Sequence, residues 1–286
     1  MEAGVDDGSF VQIEGALRSA AWVGQVPWLY WLHDYLSPVI GNHLGITARH
    51  GSLRTFAMKE VLARKDRGSD RKDILSKLFK VHEEKGELFD ENAVVSMATS
   101  NIFAGSDTTA ISTRAILYYL LKNPESLGKL RDEIDLSWRG GRLSDPAKLS
   151  EADNMPYLQA VMYEALRLHP AVGMSLPRVV PPGGCEIGGK FLPAGVKFME
   201  TWSLSLHANC ALQTVVGVNP WVVHRNREVF GEDVESFRPE RWLGEETGDL
   251  RMYFSIPLVN YLSNWQVDRF FFAFGSGARM CLGRSE

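Results

Sequence analysis

The chain has 286 residues, of which 31 are Lys or Arg and 35 are Asp or Glu, so its formal net charge is −4. This near-neutral charge excludes a nucleic-acid binder, which needs excess positive charge to displace counterions from phosphates. Hydrophobic residues make up 45% and charged residues 23%, which excludes global disorder and indicates a globular core. The length suffices for one large domain or two ordinary ones.

The three cysteines are odd in number, widely spaced and without a CxxC pair: Cys185, Cys210 and Cys281. We therefore expect neither a disulfide framework nor a structural zinc site, and a reducing compartment fits best. No apolar run reaches the roughly 18 residues that a membrane-spanning helix needs. The acidic, Gly-rich amino terminus is predicted to be neither a signal peptide nor a membrane anchor.

Helical signals dominate the first two thirds of the chain. Residues 10–45 are rich in Trp and Tyr and predict short helices, and residues 52–65 predict an amphipathic helix. The longest periodic segment opens at Asp90 and Glu91, whose negative charge suits the positive end of a helix dipole. It ends at Lys122, before an Asn-Pro pair, and at ~1.5 Å per residue it would be about 48 Å long.

The middle of this long helix, AGSDTT at residues 104–109, contains poor helix formers. Their hydroxyls and carboxylate can compete for backbone groups, so the sequence predicts a local opening of the helix here. A weak stretch inside a strong helix indicates either a functional site or a strained one.

Two further helices are predicted, from Pro124 to about Leu136 and from Pro156 to His169. Beyond Pro170, glycines and prolines separate short β-prone runs such as Cys-Glu-Ile at 185–187. We therefore expect a small antiparallel sheet appended to a helical body.

One cysteine near the carboxy terminus stands in a glycine-rich stretch, FGSGARMCLG at residues 274–283. Its glycines permit a tight loop, and Arg279 places a cation two residues before Cys281. A thiolate there would be stabilised by that cation and by backbone N–H groups, and a thiolate is also an axial ligand of haem iron. A lone cysteine in a glycine loop is otherwise most often a buried, inert thiol, so the residues alone leave both interpretations open.

This stretch resembles the haem-binding loop of the cytochrome P-450 family, F-x-x-G-x-R-x-C-x-G. Every fixed position of that pattern is filled, by Phe274, Gly277, Arg279, Cys281 and Gly283. Three further motifs occur in the family's order. AGSDTT at 104–109 is similar to the oxygen-activation motif of the long central helix, EALR at 164–167 resembles the ExxR motif, and FRPERW at 237–242 resembles the F-x-P-E-R-F/W segment. A second ExxR match, at Glu235 and Arg238, is interpreted as chance.

The resemblance implies a mainly α fold with a small β region. This would be a single, partial cytochrome P-450 domain over residues 1–286, with the long central helix, the ExxR helix, a small antiparallel sheet and the Cys haem loop. The implied cofactor is haem b, with Cys281 as the axial thiolate ligand of its iron. The implied reaction is monooxygenation, in which one atom of O2 enters an apolar organic substrate.

The resemblance also implies an NADPH-dependent reductase as electron donor, and no nucleic-acid partner. It places the protein at the cytosolic face of the endoplasmic reticulum membrane, held there only by an anchor that is absent from this chain. The aromatic opening segment resembles filamentous-fungal members of the pisatin-demethylase-like group, which implies fungal secondary metabolism. The sequence specifies neither the substrate and regiochemistry nor the redox partner.

Residue roles follow from the same resemblance. Asp107 and Thr108 would relay protons to oxygen at the haem, where cleavage of the O–O bond requires two. Ala104 and Gly105 would leave room for oxygen and substrate beside the haem face. Arg279 would pair with one haem propionate, and Arg178 occupies the place where the family often has another propionate contact.

The ExxR motif has a physical basis of its own. Glu164 and Arg167 are spaced i, i+3, so they share one helix face and can pair. Without further information the pair would be a surface ion pair that contributes well under ~1 kcal/mol. The resemblance implies instead a buried structural triad with Arg241, which would tolerate the loss of no member.

The chain also departs from the family. Full-length members are nearly twice as long, so the amino-terminal half and the segment after the Cys loop are expected to be missing. Residues 196–213 read as a foreign insertion, because joining Gly195 directly to Thr214 gives a sequence typical of fungal members. The codons of Val196 and Gln213 can supply GT and AG ends, so the segment could be a retained intron, with a genuine loop insertion as the alternative. Residues 252–266 are a second candidate.

Two other functions compete with monooxygenation. The chain could be a non-enzymatic, truncated or mis-spliced gene product that keeps the motifs but lacks a complete haem pocket, so that whether it binds haem is open. A peroxygenase-like activity without a reductase would need an acid–base pair other than Asp107 and Thr108, and the sequence offers none.

Overall fold

The computed structural model describes residues 51–68, 71–187, 189–194, 215–243 and 271–285, together with six positions between residues 32 and 39. It divides the chain into two units, residues 1–108 and 109–286. The two insertion hypotheses, for residues 196–213 and 252–266, stay predictions because both segments lie outside the described residues. The same holds for Cys210 and for most of the aromatic segment 10–45.

The first unit contains helices α1 (Gly51–Arg67) and α2 (Ile74–Lys85) and the first part of α3 (Glu91–Lys122). Asp90 caps α3, since its carboxylate accepts the N–H of Ala93 at 2.8 Å. The core of this unit joins α1 to α3 through the buried side chains of Val61, Val94 and Val95. The predicted limits of the long helix are confirmed.

Helix α3 also corrects one expectation, because it stays helical through residues 104–109, where a local opening was predicted. The hydroxyl of Ser106 donates to the carbonyl of Ile102, and that of Thr108 donates to the carbonyl of Ala104, each at 2.7 Å. These bonds satisfy the hydroxyls within the helix, so they leave its backbone ladder in place. The prediction of an opening was therefore wrong.

The second unit continues with α4 (Pro124–Arg139), α5 (Leu149–Ala152) and α6 (Pro156–Leu168). Pro124 and Pro156 begin their helices, as predicted, because the first turn does not need their missing N–H group. Glu133 of α4 caps α6, and its carboxylate accepts the N–H groups of Tyr157 and Leu158 at 2.8 and 2.9 Å. Side chains from α3, α4 and α6 share a core of Leu120, Leu130, Tyr157 and Val161.

The β region consists of two antiparallel ladders. Strand β1 (Leu176–Val179) pairs with β4 (Val215–Val218), and β2 (Cys185–Ile187) pairs with β3 (Lys190–Leu192). The predicted small sheet is thus present as two ladders, since β2 and β3 form a local hairpin whereas β1 pairs with a strand distant in sequence. The fold is mainly α with a small β region, as predicted.

Short elements complete the second unit: helices α7 (Pro220–Val223) and α8 (Arg227–Phe230), then 3₁₀ turns at Pro239–Trp242, Gly277–Arg279 and Leu282–Ser285. Trp242 packs with Ala160, Phe230 and Val234 in a core that joins α6 to this region. Among the described helices, none is long and apolar enough to cross a membrane.

Candidate functional site

A buried ion pair lies on α6. The carboxylate of Glu164 and the guanidinium of Arg167 are both 0% exposed. They form two parallel bonds, from Nε to Oε2 at 2.9 Å and from Nη2 to Oε1 at 2.8 Å. A bidentate pair of this kind fixes both the distance and the orientation of its partners. The pair is therefore not the exposed ion pair that the spacing alone would allow.

The 237–242 motif completes the surroundings of the Glu164 carboxylate. Oε1 also accepts the backbone N–H of Arg238 at 3.0 Å and the Nε–H of Arg241 at 3.3 Å. Oε2 accepts the indole N–H of Trp242 at 2.9 Å. The structure thus brings together the three residues predicted as a triad. Trp242 is an additional member of this network, which the motif had not predicted.

Arg241 extends this network to a second acid. Its guanidinium donates to Oδ1 of Asp233 at 3.0 Å and to the carbonyl of Phe230. Arg238 donates to Oδ2 of Asp233 at 2.6 Å. Hydrogen bonds from Arg238, and then from Arg241, lower the pKa of Asp233 to about 2.

The second ExxR match behaves differently from the first. Glu235 pairs with Arg225 at 3.1 Å, while Arg238 pairs with Asp233. The side chain of Glu235 is 72% exposed. Its interpretation as a chance match agrees with these separate partners.

His224 is a buried member that sequence reasoning missed. Nη1 of Arg167 donates to the carbonyls of His224 at 3.0 Å and of Val234 at 2.8 Å. In return the imidazole Nδ1 lies 3.1 Å from the carbonyl oxygen of Arg167, and Nε2 accepts the N–H of Phe272 at 2.8 Å. Burial lowers the pKa of His224 to about 4, so the ring is neutral at pH 7.

The loop around Cys281 begins at Phe272 and is closed by backbone hydrogen bonds. The N–H of Gly275 donates to the carbonyl of Phe272 at 3.0 Å, and that of Cys281 donates to the carbonyl of Phe274 at 2.8 Å. Gly275 and Gly277 have φ of +73° and +68°, a left-handed conformation that a side chain disfavours. The glycine pattern therefore serves the turns of the loop.

Cys281 is exposed, so it is not the buried thiol that the alternative interpretation predicts. Gly277, Arg279 and Gly283 are exposed on the same loop, and Phe274 is half-buried. Strand β1 lies close by, since a Cβ on Gly275 would be 3.9 Å from Cδ1 of Leu176. Arg178 of the same strand is exposed, and its Nη1 donates to the carbonyl of Pro177 at 2.8 Å.

Four predicted residues lie in the first unit, on α3. Ala104 and Gly105 are exposed, and a Cβ on Gly105 would have no described atom within 4 Å apart from its chain neighbours and the backbone of its own helix. Asp107 and Thr108 are half-buried, and the Thr108 hydroxyl is engaged by the carbonyl of Ala104. The carboxylate of Asp107 and the hydroxyl of Thr108 thus lie on the same helix as the two small residues.

The residues of the Cys281 loop fit a haem. The described part of the chain contains no group of three His, Cys, Asp or Glu side chains that could hold an ion. A single exposed thiol on a closed loop suits axial ligation of a haem, whose iron takes its other ligands from the macrocycle. The exposed guanidinium of Arg279 on the same loop suits a carboxylate of the cofactor.

A mainly α fold with a buried ExxR pair and a loop presenting one cysteine is typical of haem-thiolate proteins. The family model for cytochrome P-450 matches residues 12–285. The chain therefore belongs to the cytochrome P-450 family, as its motifs predicted.

Several relatives of the chain are fungal proteins. Cytochrome P-450 monooxygenase hepC of Aspergillus oryzae is 40% identical over 284 residues, which are 99% of this chain and 49% of the relative. Monooxygenase cicH of Emericella nidulans is 36% identical over 93% of this chain and 47% of its own length. Pisatin demethylase of Fusarium vanettenii is 42% identical over 65% of this chain and 29% of its own length. The predicted likeness to this group is confirmed, and the chain spans about half the length of hepC and cicH.

Proposed function

We propose that this chain carries the thiolate loop and the proton relay of a haem-thiolate monooxygenase. The reaction is RH + O2 + two electrons + two protons → ROH + H2O, with electrons from NADPH through a reductase. The observation that supports it best is the exposed Cys281. The N–H of Cys281 closes the loop on which it lies, and the start of this loop is hydrogen-bonded to the buried His224. We also propose that this reaction occurs at the cytosolic face of the endoplasmic reticulum membrane.

The second unit would hold the haem. Cys281 would bind its iron as a thiolate, and Arg279 and Arg178 would pair with its propionates. When bound, haem b would supply the iron at which O2 is reduced. A thiolate ligand donates electron density to the iron, so the role of the loop would be to hold Cys281 where it can bind the iron.

Residues of α3 would supply the proton relay. Ala104 and Gly105 present little side-chain bulk, which leaves space for a small molecule beside α3. The Thr108 hydroxyl donates to the Ala104 carbonyl, so it would have to rotate away from this carbonyl before it could hand on a proton. The Asp107 carboxyl would then return a proton to Thr108, because a relay needs a second group to restore the first.

We propose a small apolar metabolite as the substrate. One relative is named pisatin demethylase, and hydroxylation of a methyl ether carbon releases the methyl group as formaldehyde. The aryl methyl ether anisole is therefore a reasonable first probe, since its oxidation would yield phenol.

The carbon-monoxide difference spectrum of the chain, reconstituted with haem and reduced, tests the proposal. A strongly red-shifted Soret band is expected for the wild-type chain, because it reports thiolate ligation. Cys281→Ser should abolish this band, whereas the matched control Cys185→Ser should keep it. A wild-type chain that binds haem without this band, or that binds none, would contradict the proposal and favour a non-enzymatic product.

A further inference from the structure

The strongest additional feature of the second unit is the bridge that His224 makes. Its side chain is fully buried, and it contacts one residue 57 positions earlier and another 48 positions later in the chain. The first contact is the carbonyl of Arg167, near the end of α6, and the second is the N–H of Phe272, where the Cys281 loop begins. No motif identified in the sequence includes this histidine.

The two contacts fix the protonation state of the ring. A backbone N–H can only donate, so Nε2 of His224 must accept from Phe272 and carries no proton. Nδ1 then carries the proton and donates to the carbonyl of Arg167. This carbonyl belongs to the last turn of α6, where no later helical N–H is available to it, so the imidazole also caps the helix.

The surroundings favour the same neutral form. Burial, and then the positive charges of Arg167 and Arg225, disfavour a positive charge on the ring. The ring of Phe271 stacks on the imidazole with centroids 5.1 Å apart and planes inclined by 14°. The imidazole is therefore held by two hydrogen bonds and by stacking on Phe271, which precedes Phe272 in the chain.

From Phe272 the restraint continues to the cysteine. The carbonyl of Phe272 accepts the N–H of Gly275, and two residues further the carbonyl of Phe274 accepts the N–H of Cys281. His224 thus links the end of the ExxR helix, α6, to the closed loop through hydrogen bonds. We propose that His224 is a positioning residue, which fixes the start of the Cys281 loop and so sets where the thiolate meets the haem. The haem part of this inference rests on the proposed function.

Three variants of the full chain test this role. His224→Phe keeps an aromatic ring beside Phe271 and removes both hydrogen bonds. His224→Asn keeps a side-chain N–H near the position of Nδ1 and removes the acceptor for Phe272. The control is His169→Phe, because His169 is an exposed histidine that follows α6 and has its ring edge-on to Trp221.

Amide hydrogen exchange of the haem-free chain is the first measurement. We expect the Phe272 amide to exchange about tenfold faster in both His224 variants, which corresponds to one lost buried hydrogen bond. The rate in His169→Phe should equal that of the wild-type chain. Unchanged exchange at Phe272 in both His224 variants would overturn the proposal.

The second measurement is the fraction of haem that gives the red-shifted carbon-monoxide band. This fraction should fall at least severalfold in both His224 variants and stay unchanged in His169→Phe. Faster exchange with an unchanged band would overturn the haem-positioning role. If the wild-type chain itself gives no such band, the proposed function fails, while the exchange data still decide whether His224 fixes the loop.

A measurement on the wild-type chain covers the case in which both His224 variants fail to fold. The ¹⁵N resonances of the ring should show a protonated Nδ1 and an unprotonated Nε2 at neutral pH. The opposite tautomer would contradict the bridge, because Nε2 could then not accept from Phe272.

Discussion

Arg167 and His224 each bind the backbone of the other. Nη1 of Arg167 donates to the carbonyl of His224 at 3.0 Å, and Nδ1 of His224 donates to the carbonyl of Arg167 at 3.1 Å. Because Arg167 also forms the bidentate pair with Glu164, one guanidinium joins a buried carboxylate to a distant segment of the chain. Stability and loop placement therefore depend on the same few polar groups.

Removing the charge of Glu164 should be costly. Glu164→Gln leaves Arg167 buried without its anionic partner, and breaking a buried pair in this way typically costs about 3–5 kcal/mol of unfolding free energy. The chain offers a matched control in Glu235→Gln, which alters the acid of the second ExxR match. Glu235 is largely exposed, so this variant should lose less than about 1 kcal/mol. Urea unfolding of both variants measures the difference, and equal losses would contradict a special role for the first motif.

His224 should make stability depend on pH. Its pKa is 6.5 in the unfolded chain and about 4 in the folded chain, because burial opposes the charged ring. Between these values the unfolded state binds a proton that the folded state does not, so stability falls as the pH is lowered. At 1.36 kcal/mol per pKa unit the loss reaches about 3 kcal/mol near pH 4.

Urea midpoints at several pH values between 6.5 and 4 test this dependence. His224→Asn should flatten the curve in this window, whatever its effect on overall stability. Asp233 contributes in a different window, since its folded pKa of about 2 is lowered and its stabilisation is lost only below about pH 4. A wild-type curve that is flat from pH 6.5 to 4 would count against a buried neutral histidine.

Local signals in the sequence predicted the helices well, whereas distant contacts were accessible only through motifs. Pro124, Pro156 and the acidic pair at the start of α3 act within one turn, so their effect can be read from neighbouring residues. Trp242 lies 78 residues from Glu164, and His224 lies 57 from Arg167. Nothing local distinguishes these side chains from ordinary core residues. The hydroxyls in α3 are a local signal that led to a wrong prediction, because the same side chain can either open a helix or form a hydrogen bond within it.

The cap that Glu133 gives to α6 should be measurable. Its two carboxylate oxygens accept the N–H groups of Tyr157 and Leu158, which start a helix and have no acceptor within it. Glu133→Gln replaces one acceptor by an amide NH₂ that faces an N–H, so we expect a loss of about 1–2 kcal/mol. Asp132→Asn, at the exposed neighbouring position, removes the same charge and should lie within about 0.5 kcal/mol of the wild-type chain. Thermal or urea unfolding compares the two, and equal stabilities would refute the cap.

The proposed relay predicts a loss of coupling between electron use and product formation. Thr108→Val removes the hydroxyl and keeps the side-chain shape, whereas Thr108→Ser keeps the hydroxyl. Thr109→Val is the matched control, since Thr109 is the exposed neighbour on the same helix. General acid catalysis typically contributes 10²–10⁴-fold, so Thr108→Val and Asp107→Asn should lower phenol formation from anisole by about 10²-fold or more.

NADPH oxidation, measured beside phenol in the haem-loaded protein with its reductase, separates a relay from a fold defect. In the relay variants NADPH consumption should continue, because the substitutions slow proton delivery but leave the supply of electrons from the reductase unchanged. Thr108→Ser should restore most of the phenol yield per NADPH, and Thr109→Val should leave it unchanged. If Thr108→Val lowers phenol formation and NADPH consumption in equal proportion, the hydroxyl has no part in proton delivery.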